Sequence, residues 1–350
     1  MNISIEDLRA SVARGILTEG QSAQLIALSE ARRMAKDRVE PLEEPFVLFK
    51  GFNEIFVVVG LTILFTGWIG VATLLGLNSQ APAGLETIVL SLVTIAGLAG
   101  VARYFTLKRR MIAPSIALAI MTALSALVLG VALAGQFSAS DILILPALIV
   151  ALVMAGYYTV FRVPFAAAII AGALFCALWT AMVGSGTVAA SAFLGLERNA
   201  TASTAIVLFG LVTFAFAMAL DMSDPLRVST RSATGFWLHV VAAPAIVNTV
   251  ALNLLEKGTP LAQGLLVAFL LGIALVAIVI DRRSFLVSGA GYSVVLAATL
   301  FEGAAPFAIL ALGLILVLLG SLWDRLRARL MAALPAFPGK TNLPPYGTAE

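Results

Sequence analysis

Residues 53–76 read NEIFVVVGLTILFTGWIGVATLLG, and the only charge among them is Glu54, the second residue of the run. As a helix rising 1.5 Å per residue, the stretch is about 36 Å long, enough to cross the roughly 30 Å hydrocarbon core of a bilayer. Nine more apolar stretches follow it, at 85–106, 111–134, 142–161, 163–184, 201–221, 234–255, 260–280, 284–301 and 304–323. The stretch at 284–301 is short and carries Ser288-Gly289-Ala290-Gly291-Tyr292-Ser293, which makes it the weakest candidate. Residues 186–196 are apolar but too few to cross, so an interfacial or re-entrant segment is expected there. The fold class read from this pattern is all-α, a polytopic membrane bundle of about ten transmembrane helices.

Composition excludes a soluble alternative. Of the 350 residues, 61% are apolar and 12% charged, against about 25% charged in soluble domains. A water-soluble core cannot hide that much apolar surface, whereas lipid solvates it. The net charge of +3 is no sign of nucleic-acid binding, because the cations sit in loops rather than along a basic stripe with interleaved aromatics. The single cysteine, Cys176, lies inside an apolar stretch, and no Cys/His cluster exists to hold a metal. No cofactor is expected. The first fifty residues lack an apolar signal region, so no cleavable signal peptide is expected.

The loop charges set the orientation. Residues 1–50 hold seven Lys and Arg, and the same side receives Arg103, Lys108, Arg109, Arg110, Arg162, Arg227, Arg231, Arg282, Arg283, Arg325, Arg327, Arg329 and Lys340. That is twenty of twenty-two cations; the other side receives only Arg198 and Lys257. The positive-inside rule then places both termini in the cytoplasm. Five helices per half would make the two halves inverted, as in several transporter folds, but residues 51–184 and 200–323 share no residue-level similarity.

Residues 1–50 form a cytoplasmic preface, 51–323 the bundle and 324–350 a basic amphipathic turn with a Pro-rich end expected to be disordered. In the preface, Ser4 starts a helix carrying Ile5, Leu8 and Val12 up to Gly15, a plausible C-cap. Thr18-Glu19-Gly20-Gln21 matches a capping box and opens a second helix through Leu25, Ile26 and Leu28. Pro41 and Pro45 end it. The hairpin is too small to be stable alone. Residues 1–40 therefore pack on the membrane domain, on a protein partner or on lipid, or they serve as a solvated spacer. Basic cytoplasmic loops next to the membrane favour anionic lipid.

Ionisable groups inside a bilayer are costly, so each asks for a reason. His239, the only histidine, falls about 5 residues into the seventh stretch, after Trp237; Pro244 follows in mid-span, then Asn248 and Asn253. One reading makes His239 a proton carrier or ligand contact on a pathway. The other makes it a neutral hydrogen-bonded residue, with the asparagines joining helices. Glu54, after Asn53, is either a coupling carboxylate facing a cavity or a partner for the dipole of its own helix beside Lys50. Tyr157, Tyr158 and Trp323 suit an interfacial aromatic belt. Glu86, Asp141, Glu197, Glu256 and Glu302 lie in or beside the outer loops, and jointly lend that mouth a negative potential. Gly339-Lys340-Thr341 resembles the end of a phosphate-binding loop, but the first glycine is replaced by Leu334.

The Gly15-Ile16-Leu17-Thr18-Glu19-Gly20-Gln21 stretch, within Leu8 to Leu25, resembles the start of a family of bacterial polytopic membrane proteins described only as a domain of unknown function. Phe236-Trp237-Leu238-His239 with Ala242-Ala243-Pro244, and Ile280-Asp281-Arg282-Arg283, are similar to stretches in alphaproteobacterial membrane proteins. The resemblance implies a bacterial inner membrane and no catalytic residues. Three functions stay open: a secondary transporter or permease with its path near spans 1 and 7; a scaffold, assembly or regulatory protein acting through its hairpin; and, least favoured, an intramembrane enzyme. The first expects His239 and Glu54 on a water-reachable cavity, the second a dry, closely packed bundle.

Overall fold

A computed structural model describes residues 11–12, 14–18, 20–21, 52–77, 84–136, 144–189, 200–227, 229–300 and 305–346. Among them the chain is helical, with no strand. The helices are α1 (Phe52–Leu77), α2 (Leu85–Ala102), α3 (Ile112–Ala134), α4 (Leu145–Phe161), α5 (Phe165–Gly184), α6 (Ala200–Met222), α7 (Thr230–Lys257), α8 (Pro260–Ile280), α9 (Ser284–Leu300), α10 (Ala305–Ser321) and α11 (Trp323–Ala333). A π-helical turn, Arg103–Lys108, continues α2. Each of the ten apolar stretches is one of the helices α1–α10, and α11 is the basic amphipathic turn.

Seven of these helices are long and apolar enough to cross a membrane, and α10 with α11 makes an eighth candidate bent by 79°. The apolar helices α4 and α9 are shorter. Phe56, Ile63, Leu152, Leu271 and Leu310 are among many large apolar side chains that point outward. That much exposed apolar surface needs lipid around it.

The termini of the helices follow local rules. Ser229 caps α7 by accepting from the Arg231 amide, and Gly258 ends it in the left-handed region at φ 60°. Thr259 caps α8, with Pro260 at its first position. Helix α7 starts four residues earlier than residue 234 and runs helically through Pro244. In the preface, Thr18 and Gln21 exchange the reciprocal bonds of a capping box, at 3.0 and 3.3 Å. Gly15 adopts φ 72°, its amide bonded to Val12 O. The expected helices through Ile5 and Leu8 and through Leu25, Ile26 and Leu28 lie outside the described residues, as do residues 190–196 of the interfacial segment.

Packing divides into two halves. In the first, α3 is the hub and touches α1, α2, α4 and α5. Leu118, Met154 and Phe161 are buried in its core. In the second, α7 is the hub, packed on α6, α8 and α9. Val247, Phe285 and Trp323 are buried in that core. The halves meet where Tyr158 Oη lies 3.1 Å from Thr234 Oγ1 and where the Phe165 ring stands edge-on to Trp237 at 4.6 Å.

One end of the bundle gathers the starts of α1, α3, α5, α7 and α9 with the ends of α2, α4, α6 and α8, and it carries nearly all the described cations. The tail folds back on it. Arg327 donates to Pro344 O (2.7 Å) and Pro345 O (3.0 Å), and Lys340 Nζ donates to Met331 O and Leu334 O, both at 2.7 Å. Residues 334–346 are thus tied down rather than disordered: the buried guanidinium supplies donors that the proline carbonyls accept. The same bonds leave Lys340 no freedom to cradle a phosphate.

Candidate functional sites: a buried ionic cluster and a lateral groove

Asp221 is the next-to-last residue of α6, and its carboxylate is the centre of a buried network in which His239 Nδ1 and Arg282 Nη1 are left without a hydrogen-bond partner among the described residues. Arg282 clamps it with two bonds, Nε to Oδ2 at 2.9 Å and Nη2 to Oδ1 at 2.5 Å. Such fork-on-carboxylate pairs are the strongest charged hydrogen bonds available to a side chain. His239 Nε2 lies 2.9 Å from the same Oδ2. A carboxylate only accepts, so Nε2 carries the hydrogen. The imidazole is wholly buried, edge-on to the rings of Phe214 and Phe285. Arg282 Nη2 also donates to Ser232 O and Oγ at 3.1 and 3.2 Å. Glycine at 235 makes this approach possible, because a Cβ there would collide with Asp221 Oδ1.

A second ion group adjoins the first through the peptide joining Asp281 to Arg282. Asp281 ends α8 with φ 57°, a left-handed conformation that ends the helix and begins the turn to α9. Its carboxylate accepts from Trp323 Nε1 at 2.6 Å and pairs with Arg227 Nη1 at 3.0 Å. Arg227 Nη2 returns to the Asp281 carbonyl at 2.8 Å, and Arg327 Nε stands 4.0 Å from the carboxylate Oδ1. Burial lowers the Arg327 guanidinium's pKa, and Asp281 and Asp324 oppose that change. Two aspartates therefore face three arginines below the apolar core, stitching α6, α7, α8, α9 and α11 to the tail.

This cluster revises several readings. Arg227 and Arg282, counted among the loop cations that set the orientation, are 7% and 0% exposed. Trp323 is buried on Asp281 instead of standing in an interfacial belt, and Tyr157 is buried against the Phe161 ring. Glu54 lies in the first turn of its own helix, as the dipole reading has it, and its carboxylate also accepts from the Ala113 amide at 3.0 Å and the Ile112 amide at 3.4 Å, capping α3. Met111, at the cap position of α3, offers no side-chain acceptor, so the acid of α1 supplies it. Asn53 is exposed and Asn248 half-buried. Asn253 Nδ2 bonds Thr249 O (2.7 Å) and Ser203 Oγ (3.2 Å), joining α7 to α6. Half-buried Trp237 packs on Phe165 at the seam between the halves. His239 and Asn253 are about 21 Å apart along the helix. The candidates of α7 therefore do not form one pocket, and Glu54 belongs to the other half.

One hollow of about 520 Å³ lies between α9 and α10, lined by Ser293, Phe307 and Ile315, and three more lie in the first half. Helices α1 and α2 meet only lightly, and three adjoining hollows that share lining residues lie along the gap beside α3. The first, about 320 Å³, is walled by Leu61, Trp68, Leu98, Val101, Leu118 and Met121. The second, about 510 Å³, shares Phe65 and Thr94 with it and adds Gly76, Glu86, Ser91 and Ser125. The third, about 550 Å³, shares Thr87 and Val128 with the second and reaches Gly84 and Gln136. From Val101 to Glu86 the groove follows α2 for about 22 Å, most of a hydrocarbon core. Trp68 Nε1 bonds Thr94 Oγ1 across it at 2.7 Å, and Thr94 in turn donates to Leu90 O. Among the described residues no group of three or more His, Cys, Asp or Glu could hold a metal.

Long apolar helices with lipid-type exteriors fit a multi-pass integral membrane protein. No family model, no curated protein and no solved structure matches the chain.

Proposed function

We propose that this chain is a carrier for amphiphilic, membrane-partitioning molecules, with its path along the α1–α2–α3 groove. The observation that carries the reading is a groove open sideways to lipid, nearly as long as the hydrocarbon core is thick. Apolar side chains line it almost throughout, with Ser91, Thr94 and Ser125 on its walls. A solute dissolved in the bilayer enters such a groove without first leaving the lipid. Helix α7, with His239 sealed behind Asp221, then belongs to the rigid half. The carrier crosses the membrane ten times, α4, α9 and α10 included, at about the lower length limit for a span. Both termini lie on the cytoplasmic side, following the cations at one end of the bundle. The N-terminal resemblance favours a bacterial inner membrane.

The test is transbilayer movement of chain-labelled amphiphiles in vesicles holding the purified protein. Movement faster than in protein-free vesicles, and its loss in Thr94→Leu or Ser91→Leu, is the expected result. No acceleration for any head group would remove the reading. A reporter fused after Glu350 should be active on the cytoplasmic face. A second reading, a scaffold acting through residues 1–40, is favoured by the buried ionic cluster, which leaves no water-reachable path past His239 among the described residues. It requires that the groove hold bulk lipid only and that a partner protect the capping-box hairpin from proteolysis.

A further inference from the structure

Two glutamates stand in the first turns of neighbouring helices, and their carboxylates fare differently. Glu54, in α1, uses both oxygens on the amides that open α3. Glu86, in the first turn of α2, has its Oε2 buried with no hydrogen-bond partner. The cap position before it is Gly84 at φ 87°, which offers no side chain. A buried carboxylate oxygen without a donor is costly and asks for a counter-charge. Glu86 is also the only ionisable side chain among the described residues lining the groove. It sits at the end away from the basic loops, and apolar walls run from it along α2.

We infer that the groove selects amphiphiles with a primary-amine head group, the ammonium bound at Glu86 and the chain lying along α2 beside Trp68. This rests on the carrier reading above and names its substrate class. Charge excludes an anionic head. An oxygen lacking a donor favours an ammonium that brings N–H bonds over a quaternary ammonium that brings none. The hydroxyl of Thr94 is already committed to its own helix, so it does not compete for the head group.

The experiment uses the full chain in nanodiscs of neutral, unbrominated lipid. Four chain-brominated ligands of one length are titrated: a primary amine, its trimethylammonium analogue, the alcohol and the carboxylate. Bromine quenches Trp68, and Trp68→Phe subtracts the other tryptophans. The expected order is amine, trimethylammonium, alcohol, carboxylate, with the amine ahead of the alcohol by about tenfold or more, as befits a charge-assisted bond. In Glu86→Gln, which keeps the shape, the preference collapses to within about twofold. Equal affinities in the native chain, or a preference that survives in Glu86→Gln, would overturn the inference and leave the carrier intact. So would a preference that disappears in 1 M salt, since screening abolishes surface attraction and spares a buried contact. If no ligand quenches Trp68, the carrier reading falls and this one with it.

Discussion

Removing the Asp221 carboxylate tests whether the ionic cluster holds the second half together. In Asp221→Ala, Arg282 loses bonds of 2.9 and 2.5 Å and His239 loses one of 2.9 Å. The guanidinium, 0% exposed, is then a buried charge facing only Ser232 and the ring of Phe236. Breaking a buried pair by deleting one partner costs about 3–5 kcal/mol. Spread over about 150 residues, that lowers the unfolding midpoint by roughly 6–20 °C, at about 2–4 °C per kcal/mol. The assay is thermal unfolding of the purified protein in a mild detergent. Arg282→Lys should fall nearly as far, because an ammonium cannot reproduce the two-pronged clamp. Asp221→Leu combined with Arg282→Met should recover most of the loss, since a buried ion pair replaced by apolar groups of similar volume is often neutral. If Asp221→Ala melts within about 1 °C of the native chain, or if the double variant is as unstable as the two singles summed, the network is not a stabilising unit.

Glu54→Ala should remove the cap of α3 and cost about 1 kcal/mol, read as faster hydrogen exchange confined to the amides that follow Met111; unchanged exchange would place the carboxylate elsewhere. Gly235→Ala should destabilise by roughly 1–3 kcal/mol through overpacking against Asp221. That penalty should shrink in an Asp221→Ala background, leaving only the tight approach to the Ala217 carbonyl at 3.2 Å, and an undiminished penalty would mean that the Asp221 carboxylate is not what requires glycine. His239, the sole histidine, should resist carbethoxylation in the native chain and react once Arg282→Ala loosens the cluster. Rapid reaction in the native chain would mean that water already reaches the imidazole.

What the sequence made legible is what depends on neighbours along the chain. An apolar run of sufficient length is a helix in lipid wherever it packs, so ten stretches became α1–α10 with ends shifted by a few residues. The Thr18–Gln21 box was equally readable, both partners lying within one turn. The site was not legible in this way. Arginine at the end of a span has the same local signature whether it faces water, as Arg162 does, or turns inward, as Arg282 does. The difference lies in an acid sixty-one positions away, in reach only after α6, α7 and α8 have packed. One signal did exist: Asp221 closes an otherwise apolar run, and a carboxylate there needs a cation from another segment. Similarly, Glu54 was readable as a partner for the dipole of its own helix, but not as the cap of α3, whose amides begin some fifty-eight residues on. The groove had no local trace, because it arises from how lightly α1 touches α2.

The two halves differ in what it would take to open them, and this decides where motion belongs. Opening the basic end of α7 breaks the Asp221 clamp and strands an arginine, at about 3–5 kcal/mol before any packing is counted. Swinging the outer part of α1 away from α2 breaks the neutral bond of Trp68 to Thr94, of about 0.5–1.5 kcal/mol net, and lifts half-buried Phe65 off the core. Beyond Leu61, no described residue of α1 is fully buried. Glu54 holds the other end of α1 on the amides of α3, which leaves a fixed point about which the helix turns. Segments with few buried contacts are the ones that open first. Widening therefore belongs to the groove, while the cluster keeps the second half closed beside it. A spin-label pair spanning the outer ends of α1 and α2 should show a broad distance distribution, and one spanning α6 and α9 at the basic end a narrow one. Equal widths would refute this division.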